Sequence, residues 1–362
     1  MLRLSFYSHS LNVENVATSC LCSCFRWKFG DVSTFIAQTG GEVRHIEFDR
    51  FEPENILITA GCSLKQIDVN SQVKTLAGVD QKCYHRNGKG TAAYFKRIYS
   101  FCQADGKVLV VDTESHCLRS FDRSTAIVTD VVGNCSGSSA GFMDGLGASA
   151  KFNSPTSIIQ HKTDPAMFLI ADRYNDAIRQ LDSLNRNVTT VLRQGPLQNP
   201  VSLSWNPYND DEIFILQSRS FYSLSLTAFT VTHKFSGSLG SGDGSIIDAT
   251  FSSLTQSISL HQQLYLVSDS GSNKIRVVNM KNQTVTSICN GQQGNSDGPA
   301  ENCSLYSPYS IALLGNHLYI GTHRQIRYVR GQWKLGATHS LEVVINHFCS
   351  AYPFNLSTGL QI

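Results

Sequence analysis

The chain has 362 residues, long enough for two average domains or one large repeat architecture. Hydrophobic residues make up 41% and charged residues only 16%, a balance that suits many short strands joined by turns and excludes a fibrous or disordered chain. The 30 basic and 28 acidic residues leave a net charge of +2 with no run of Lys or Arg, which lends no support to a phosphate-binding surface.

Residues 1–30 read as an irregular leader without repeat pattern. Arg3 and the polar Ser8, His9 and Ser10 interrupt the apolar run a signal peptide needs, so no clean signal is legible. Cys20-x-Cys22-x-Cys24 has a one-residue spacing, tighter than a zinc knuckle, and is expected to be disordered or disulfide-linked. Residues 31–37, Asp-Val-Ser-Thr-Phe-Ile-Ala, look like a terminal strand placed ahead of the first repeat.

From there one pattern recurs. Val110-Val111-Asp112 through Leu118-Arg119, Ile170-Ala171-Asp172 through Ile178-Arg179, Val267-Ser268-Asp269 through Ile275-Arg276 and Ile320-Gly321-Thr322 through Ile326-Arg327 each run from an apolar strand through a polar turn to an aliphatic residue and Arg. A weaker copy spans Ile58 to Lys65. The basic positions 65, 119, 179, 276 and 327 are evenly spaced except for one double-length interval, where Ile213 to Leu226 is a degenerate copy with Gln217 in place of Asp and no Arg.

A second element is more tightly spaced. Asn87-Gly88, Asp144-Gly145, Asp243-Gly244 and Asp297-Gly298 precede Phe95, Phe152, Phe251 and Leu305 by eight residues, with Ala93, Ala150, Ala249 and Cys303 two before each apolar residue. These dipeptides predict tight turns, and the apolar residues predict the start of an inner strand. β-branched runs such as Val188-Thr189-Thr190-Val191 close each unit. Four short strands in about fifty residues make a propeller blade. The expected fold is therefore all-β: a six-bladed β-propeller with four-stranded antiparallel blades at about 39–78, 79–133, 134–192, 193–237, 238–291 and 292–331. The last repeat lacks a clear fourth strand, which residues 31–38 would supply, sealing the ring and removing a sheet edge. This gives three regions: leader 1–30, propeller 31–331 and irregular tail 332–362. The tail's Leu341-Glu342-Val343-Val344-Ile345 is too short to span a membrane, and no stretch of 18 apolar residues occurs. Either tail could be the remnant of a larger protein.

The segments 144–158, 168–182 and 187–192 together resemble the NHL repeat, over about residues 31–331. The Asn-His that usually precedes Ile-Arg survives only in part, as Ser115-His116, Asn175-Asp176 and Ser272-Asn273, and blade four and the Gly321-Thr322-His323 turn depart further. The resemblance implies architecture more than activity, because relatives bind proteins, bind RNA or act as a metal-dependent peptide-amidating lyase.

Arg119, Arg179, Arg276 and Arg327 are read as structural bridges between neighbouring blades, and Asp112, Asp172 and Asp269 as closing Asx turns, with a ligand ring as the alternative for both sets. A catalytic zinc site would need convergent ligands; His116, His317 and His323 lie in or near repeat turns but do not recur. No metal or cofactor is assigned, and no nucleophile elbow, zincin motif or phosphate loop is present.

In a blade, the start of the third strand and the end of the fourth lie on one face, which makes Cys62–Cys83, Cys117–Cys135 and Cys289–Cys303 the expected disulfides, against free buried thiols. Eleven cysteines leave at least one unpaired within the chain. Asn-x-Ser/Thr sites fall at Asn134, Asn187, Asn282, Asn302 and Asn355; Asn187 and Asn282 are read at the equivalent outer hairpin of blades three and five. With the cysteines these favour an extracellular or lumenal protein over a cytoplasmic one.

The leading function is a non-enzymatic module that binds protein or carbohydrate through its loop face, using Tyr84, His85, Arg86, Phe142, Met143, Arg173, Tyr174 and His323. The alternatives are a metal-dependent lyase or hydrolase, and an RNA-binding domain, which the charge balance disfavours.

Overall fold

A computed structural model describes residues 26–334, except 138, 262, 315 and 316. The structure is an all-β propeller of six antiparallel sheets. Blade 1 runs Val43–Phe48, Ile56–Ala60, Ser63–Ile67 and Val73–Gly78. Blade 2 runs Ile98–Ala104, Lys107–Asp112, Cys117–Asp122 and Ile127–Val132, and blade 3 Pro155–Gln160, Met167–Asp172, Ala177–Asp182 and Asn187–Arg193. Blade 4 runs Ser202–Trp205, Glu212–Leu216, Ser220–Ser225 and Val231–Ser236, and blade 5 Leu254–His261, Leu264–Asp269, Lys274–Asn279 and Thr284–Ile288. Blade 6 has Ser310–Leu314, His317–Gly321 and Ile326–Lys334, and its fourth strand comes from the other end of the chain. That strand is Arg26–Ile36, longer than the sequence suggests, and it pairs antiparallel with Ile326–Lys334 in a register that sets Val32 opposite Val329 and Thr34 opposite Arg327.

Closure is visible in the core as well. Each apolar cluster is shared by two neighbouring blades. Ile36, Ala312 and Ile326 of blade 6 pack with Val43, Ile46 and Ile58 of blade 1, so the first and last sheets meet as any other pair does. The ring thus buries both faces of the inner strands, Ile56–Ala60 and Leu264–Asp269 along their whole length, whereas fourth strands such as Ile127–Val132 keep exposed positions. No helix among the described residues is long and apolar enough to cross a membrane.

Two expectations about the lead-in to each blade are corrected. The Asn-Gly and Asp-Gly pairs are not tight turns. Gly88–Lys89, Gly145–Leu146 and Gly244–Ser245 are short extended strands that add a fifth member to the outer edge of blades 2, 3 and 5, and Gly298 bridges Val32 in blade 6 in the same way. Gly145, Gly244 and Gly298 have φ of 147°, 144° and 142°, a region that a Cβ would all but close, which is why the position is glycine. Nor do the conserved-spacing apolar residues start the inner strands. Phe95, Phe152, Phe251 and Leu305 lie in the connectors before them, fully buried between blades, as do Ala93, Ala150, Ala249 and Cys303.

The three disulfides Cys62–Cys83, Cys117–Cys135 and Cys289–Cys303 are formed, with Cα separations of 5.5, 5.3 and 4.6 Å. Each ties a blade to the connector that leaves it. Cys102 is buried and takes no part in these three disulfides. Cys20, Cys22, Cys24, Asn355 and the tail from 335 onward lie outside the described residues. Asn134, Asn282 and Asn302 are exposed, whereas Asn187 is half-buried. Asn187 and Asn282 both belong to the hairpin between third and fourth strands, at different positions: Asn187 already starts the fourth strand, opposite Asp182 and Leu146, while Asn282 precedes the strand that begins at Thr284.

Candidate functional site

Strand order places all blade-to-blade connectors and all turns between second and third strands at one end of the ring. What shapes that end is the repeated Arg. Arg179 is fully buried, and its Nη1 donates to the Asp172 carboxylate at 2.8 Å and the Lys151 carbonyl at 3.1 Å. Its Nη2 donates to the Met143 carbonyl at 2.9 Å and the Asp144 carboxylate at 2.6 Å. Arg276 repeats this with Asp269, Thr250, Gly242 and Asp243, and Arg119 with Asp112, Tyr94, Arg86 and Asn87. Arg327 has no buried acid beside it, because Thr322 stands there; it holds Ser304, Ser296 and Asp297. The guanidinium therefore clamps the connector leading into its own blade, rather than bridging to the next blade as the sequence reading has it. The planar fork reaches both paired segments of that connector, which run antiparallel at Arg86–Tyr94 and Met143–Lys151.

The Asp residues also differ from expectation. Asp112 and Asp172 do not cap the turns that follow them. They reach back to backbone N–H groups just ahead of the inner strand, Lys96 and Arg97 in one case and Asn153 in the other, and Asp269 does the same with Ser252 and Ser253. Burial pushes the Asp112 and Asp172 carboxyls up, against the pull of those N–H groups and the arginines.

Communication between blades runs through residues that sequence reasoning assigned elsewhere. His116, Asp176 and Asn273 occupy the same left-handed position before the third strand, with φ of 54°, 50° and 57°. Each accepts a backbone N–H from the following blade: Ser154 on His116 Nδ1 at 2.9 Å, Asn199 on Asp176 at 2.6 Å and Ser307 on Asn273 at 3.0 Å. The shared feature, a short polar side chain tolerating positive φ, is legible only as the partial Asn-His of the repeat. His116 is thus a structural acceptor, with its proton on Nε2. His317 begins the second strand of blade 6 and His323 lies beyond its end, so the strand separates them. These three histidines do not converge, which removes the zinc constellation considered for them.

The candidate recognition residues all lie at the connector end, spread over several blades. Tyr84 and Arg86 flank Tyr94, at 4.7 Å ring to ring and 5.5 Å guanidinium to ring. Phe142 is held under Arg193 at 3.7 Å and Arg179 at 4.7 Å, next to exposed Met143. Arg173 covers exposed Tyr174 at 5.1 Å. His323 stacks on Tyr306 at 4.6 Å. His85 instead turns inward, Nε2 2.9 Å from Asp130. Asp130 also accepts from Arg119, and the neighbouring Cys135 sulfur is committed to a disulfide. The trio His85, Asp130 and Cys135 is therefore a hydrogen-bonded His–Asp pair beside a disulfide and has no thiolate to offer a metal.

The same end opens on the central channel. A register irregularity in the inner strands turns one residue per blade into it: Arg44, Tyr99, Thr156 and Thr255 fall at these shifts, with Val201 and Tyr309 at the matching places of blades 4 and 6. Arg44 lies between two rings, 4.2 Å from Tyr99 and 4.5 Å from Tyr309. Glu42 accepts from Arg44, from Arg97 at 3.0 Å and from the Tyr309 hydroxyl at 3.2 Å. Burial opposes ionisation of Glu42, but the two arginines outweigh it and hold its carboxyl below the usual range.

Below Arg44, burial drives His45 down to about 4, so its imidazole is neutral at pH 7. With an unfolded value near 6.5, the native state binds fewer protons than the unfolded chain between about pH 6.5 and 4. The associated stability is complete above about pH 6.5 and is lost towards pH 4, up to about 3 kcal/mol. Urea unfolding at pH 7 and pH 4.5 is expected to show a larger acid loss in the wild type than in His45→Asn; equal losses would contradict it.

No protein-family model and no curated protein matches the sequence. Solved structures do. An auxiliary nutrient binding protein from Bacteroides thetaiotaomicron is 12% identical with a TM-score of 0.65, covering 84% of this chain and 77% of its own. One from Bacteroides ovatus is 14% identical with a TM-score of 0.62, covering 85% and 78%. Virginiamycin B lyase from Staphylococcus aureus is 12% identical with a TM-score of 0.50, covering 84% and 99%. The chain shares the β-propeller fold with these proteins.

Proposed function

We propose that this propeller is a non-enzymatic binding scaffold of the NHL type that recognises a protein or carbohydrate ligand through its connector face in an oxidising compartment, outside the cell or in the periplasm or lumen. The observation that carries the reading is the set of large side chains presented there on rigid supports: Tyr84 is 48% exposed, Met143 42% and Tyr174 54%. Tyr174 lies under the Arg173 guanidinium and Tyr84 packs on the Tyr94 ring that Arg86 also covers, amphipathic arrangements that recognition surfaces use at low entropic cost. The disulfides stiffen two of the connectors involved and agree with the compartment. The nutrient-binding description of two structural neighbours points the same way. Asn134, Asn282 and Asn302 are the acceptors we expect to carry glycan if the chain passes through a glycosylating compartment.

The test is a glycan array and a cross-linking capture from secreted proteins, run with the wild type and with the triple variant Tyr84→Ser/Met143→Ser/Tyr174→Ser. A captured ligand should bind the triple variant at least tenfold more weakly, with its unfolding midpoint unchanged. A ligand bound equally by both proteins would place recognition elsewhere.

A further inference from the structure

We propose that the mouth of the central channel is a separate binding site for a small hydroxylated carboxylate of the uronic-acid class, with Arg44 holding the carboxylate. The six channel residues at the mouth are very unequal. Tyr309, Arg44 and Tyr99, from blades 6, 1 and 2, form one half; Thr156, Val201 and Thr255, from blades 3, 4 and 5, form the other. The large half is a cation held flat between two aromatic faces. The small half leaves room across the channel from it.

Two groups of the large half point to an occupant. Arg44 has a side chain only 10% exposed, yet its Nε has no hydrogen-bond partner. Ser100, one residue below Tyr99, is 4% exposed and its hydroxyl has no partner either. Buried donors left unmade are costly, and both of these line the same cavity. The charge on Arg44 is only partly neutralised, because one oxygen of Glu42 is shared with Arg97. A guanidinium fixed between rings with a buried, unpaired Nε–H is suited to a carboxylate, since charge-assisted bonds to a planar anion exceed those to a neutral hydroxyl. The second layer supplies polar contacts for hydroxyl groups: neutral His45, Ser100, Ser157, Ser202 and Gln256 all line the cavity. In blades 3, 5 and 6 this layer is tied between blades, Ser157 accepting from Leu203 N–H, Gln256 from Ile311 N–H and Ser310 donating to the Val43 carbonyl, which holds the wall rigid.

This site uses none of the side chains assigned to the connector face, so the two proposals stand or fall separately. Titration calorimetry of the intact protein with sodium D-glucuronate, D-glucose and sodium acetate tests it. Glucuronate should bind, and glucose and acetate at least tenfold more weakly, a difference of about 1.4 kcal/mol or more. Arg44→Met should weaken glucuronate at least tenfold. Should that variant fail to fold, Val201→Phe fills the small half of the mouth without touching Arg44 and should have the same effect. The connector-face triple variant should bind glucuronate as the wild type does. Absence of glucuronate binding to the wild type, equal binding of glucose, or unchanged affinity in a folded Arg44→Met or Val201→Phe protein would overturn the proposal.

Discussion

Arg179→Met should destabilise the propeller by about 3–5 kcal/mol, and Arg327→Met by clearly less. Arg179 is fully enclosed and opposes Asp172, which is also fully enclosed, so removing the cation leaves a buried carboxylate with only N–H partners. Two connector carbonyls, Met143 and Lys151, lose their donors at the same time. Arg327 clamps its connector in the same way, but Thr322 replaces the acid, and its ionic partner Asp297 is 54% exposed and can be hydrated. The comparison isolates the buried acid from the clamp. Urea midpoints of the two variants measure it, and Asp172→Asn combined with Arg179→Met should recover part of the loss because it removes the uncompensated charge. Equal midpoints for Arg179→Met and Arg327→Met would show that the carboxylate partner contributes nothing.

Opening the disulfides should cost a comparable amount. The bridges close segments of 21, 18 and 14 residues, and constraint of the unfolded chain at such lengths contributes about 3 kcal/mol each. Cys117→Ser/Cys135→Ser should therefore lower the urea midpoint, and dithiothreitol should have little further effect on that bridge while still acting on the other two. Thiol titration of denatured, unreduced protein should find no more than five of the eleven cysteines free. Because Cys62–Cys83 and Cys117–Cys135 anchor the connectors bearing Tyr84 and Met143, the reduced protein should also bind its connector-face ligand more weakly. A reduced protein as stable as the oxidised one would mean that the native packing alone holds these connectors.

Blade number, strand order and ring closure were legible in the sequence because they follow from period and from local pattern. The recurring aliphatic-Arg, the small-x-apolar spacing and the β-branched fourth strands each report a feature that every regular blade needs. The missing fourth strand of the last repeat pointed to the strand now seen at Arg26–Ile36. The cysteine pairs were legible for the same reason, since equivalent blade positions lie close whatever the side chains.

What the repeated residues do was decided by the tertiary structure. An Asp-Gly pair is a turn by its own propensity, but beside the outer strand of a twisted sheet the backbone gains more by extending and pairing with it. An Asp after a strand would close an Asx turn in isolation, but buried next to an arginine and two free N–H groups it turns inward. The channel mouth was beyond reach for a different reason. Arg44, Tyr99, Thr156, Val201, Thr255 and Tyr309 share a place in the ring and no chemistry, so no repeat pattern exposes them. Local propensity and spacing determine which strands form and how many. The partner of each buried polar group depends on chain segments far apart in sequence, and only closing the ring brings them within bonding distance.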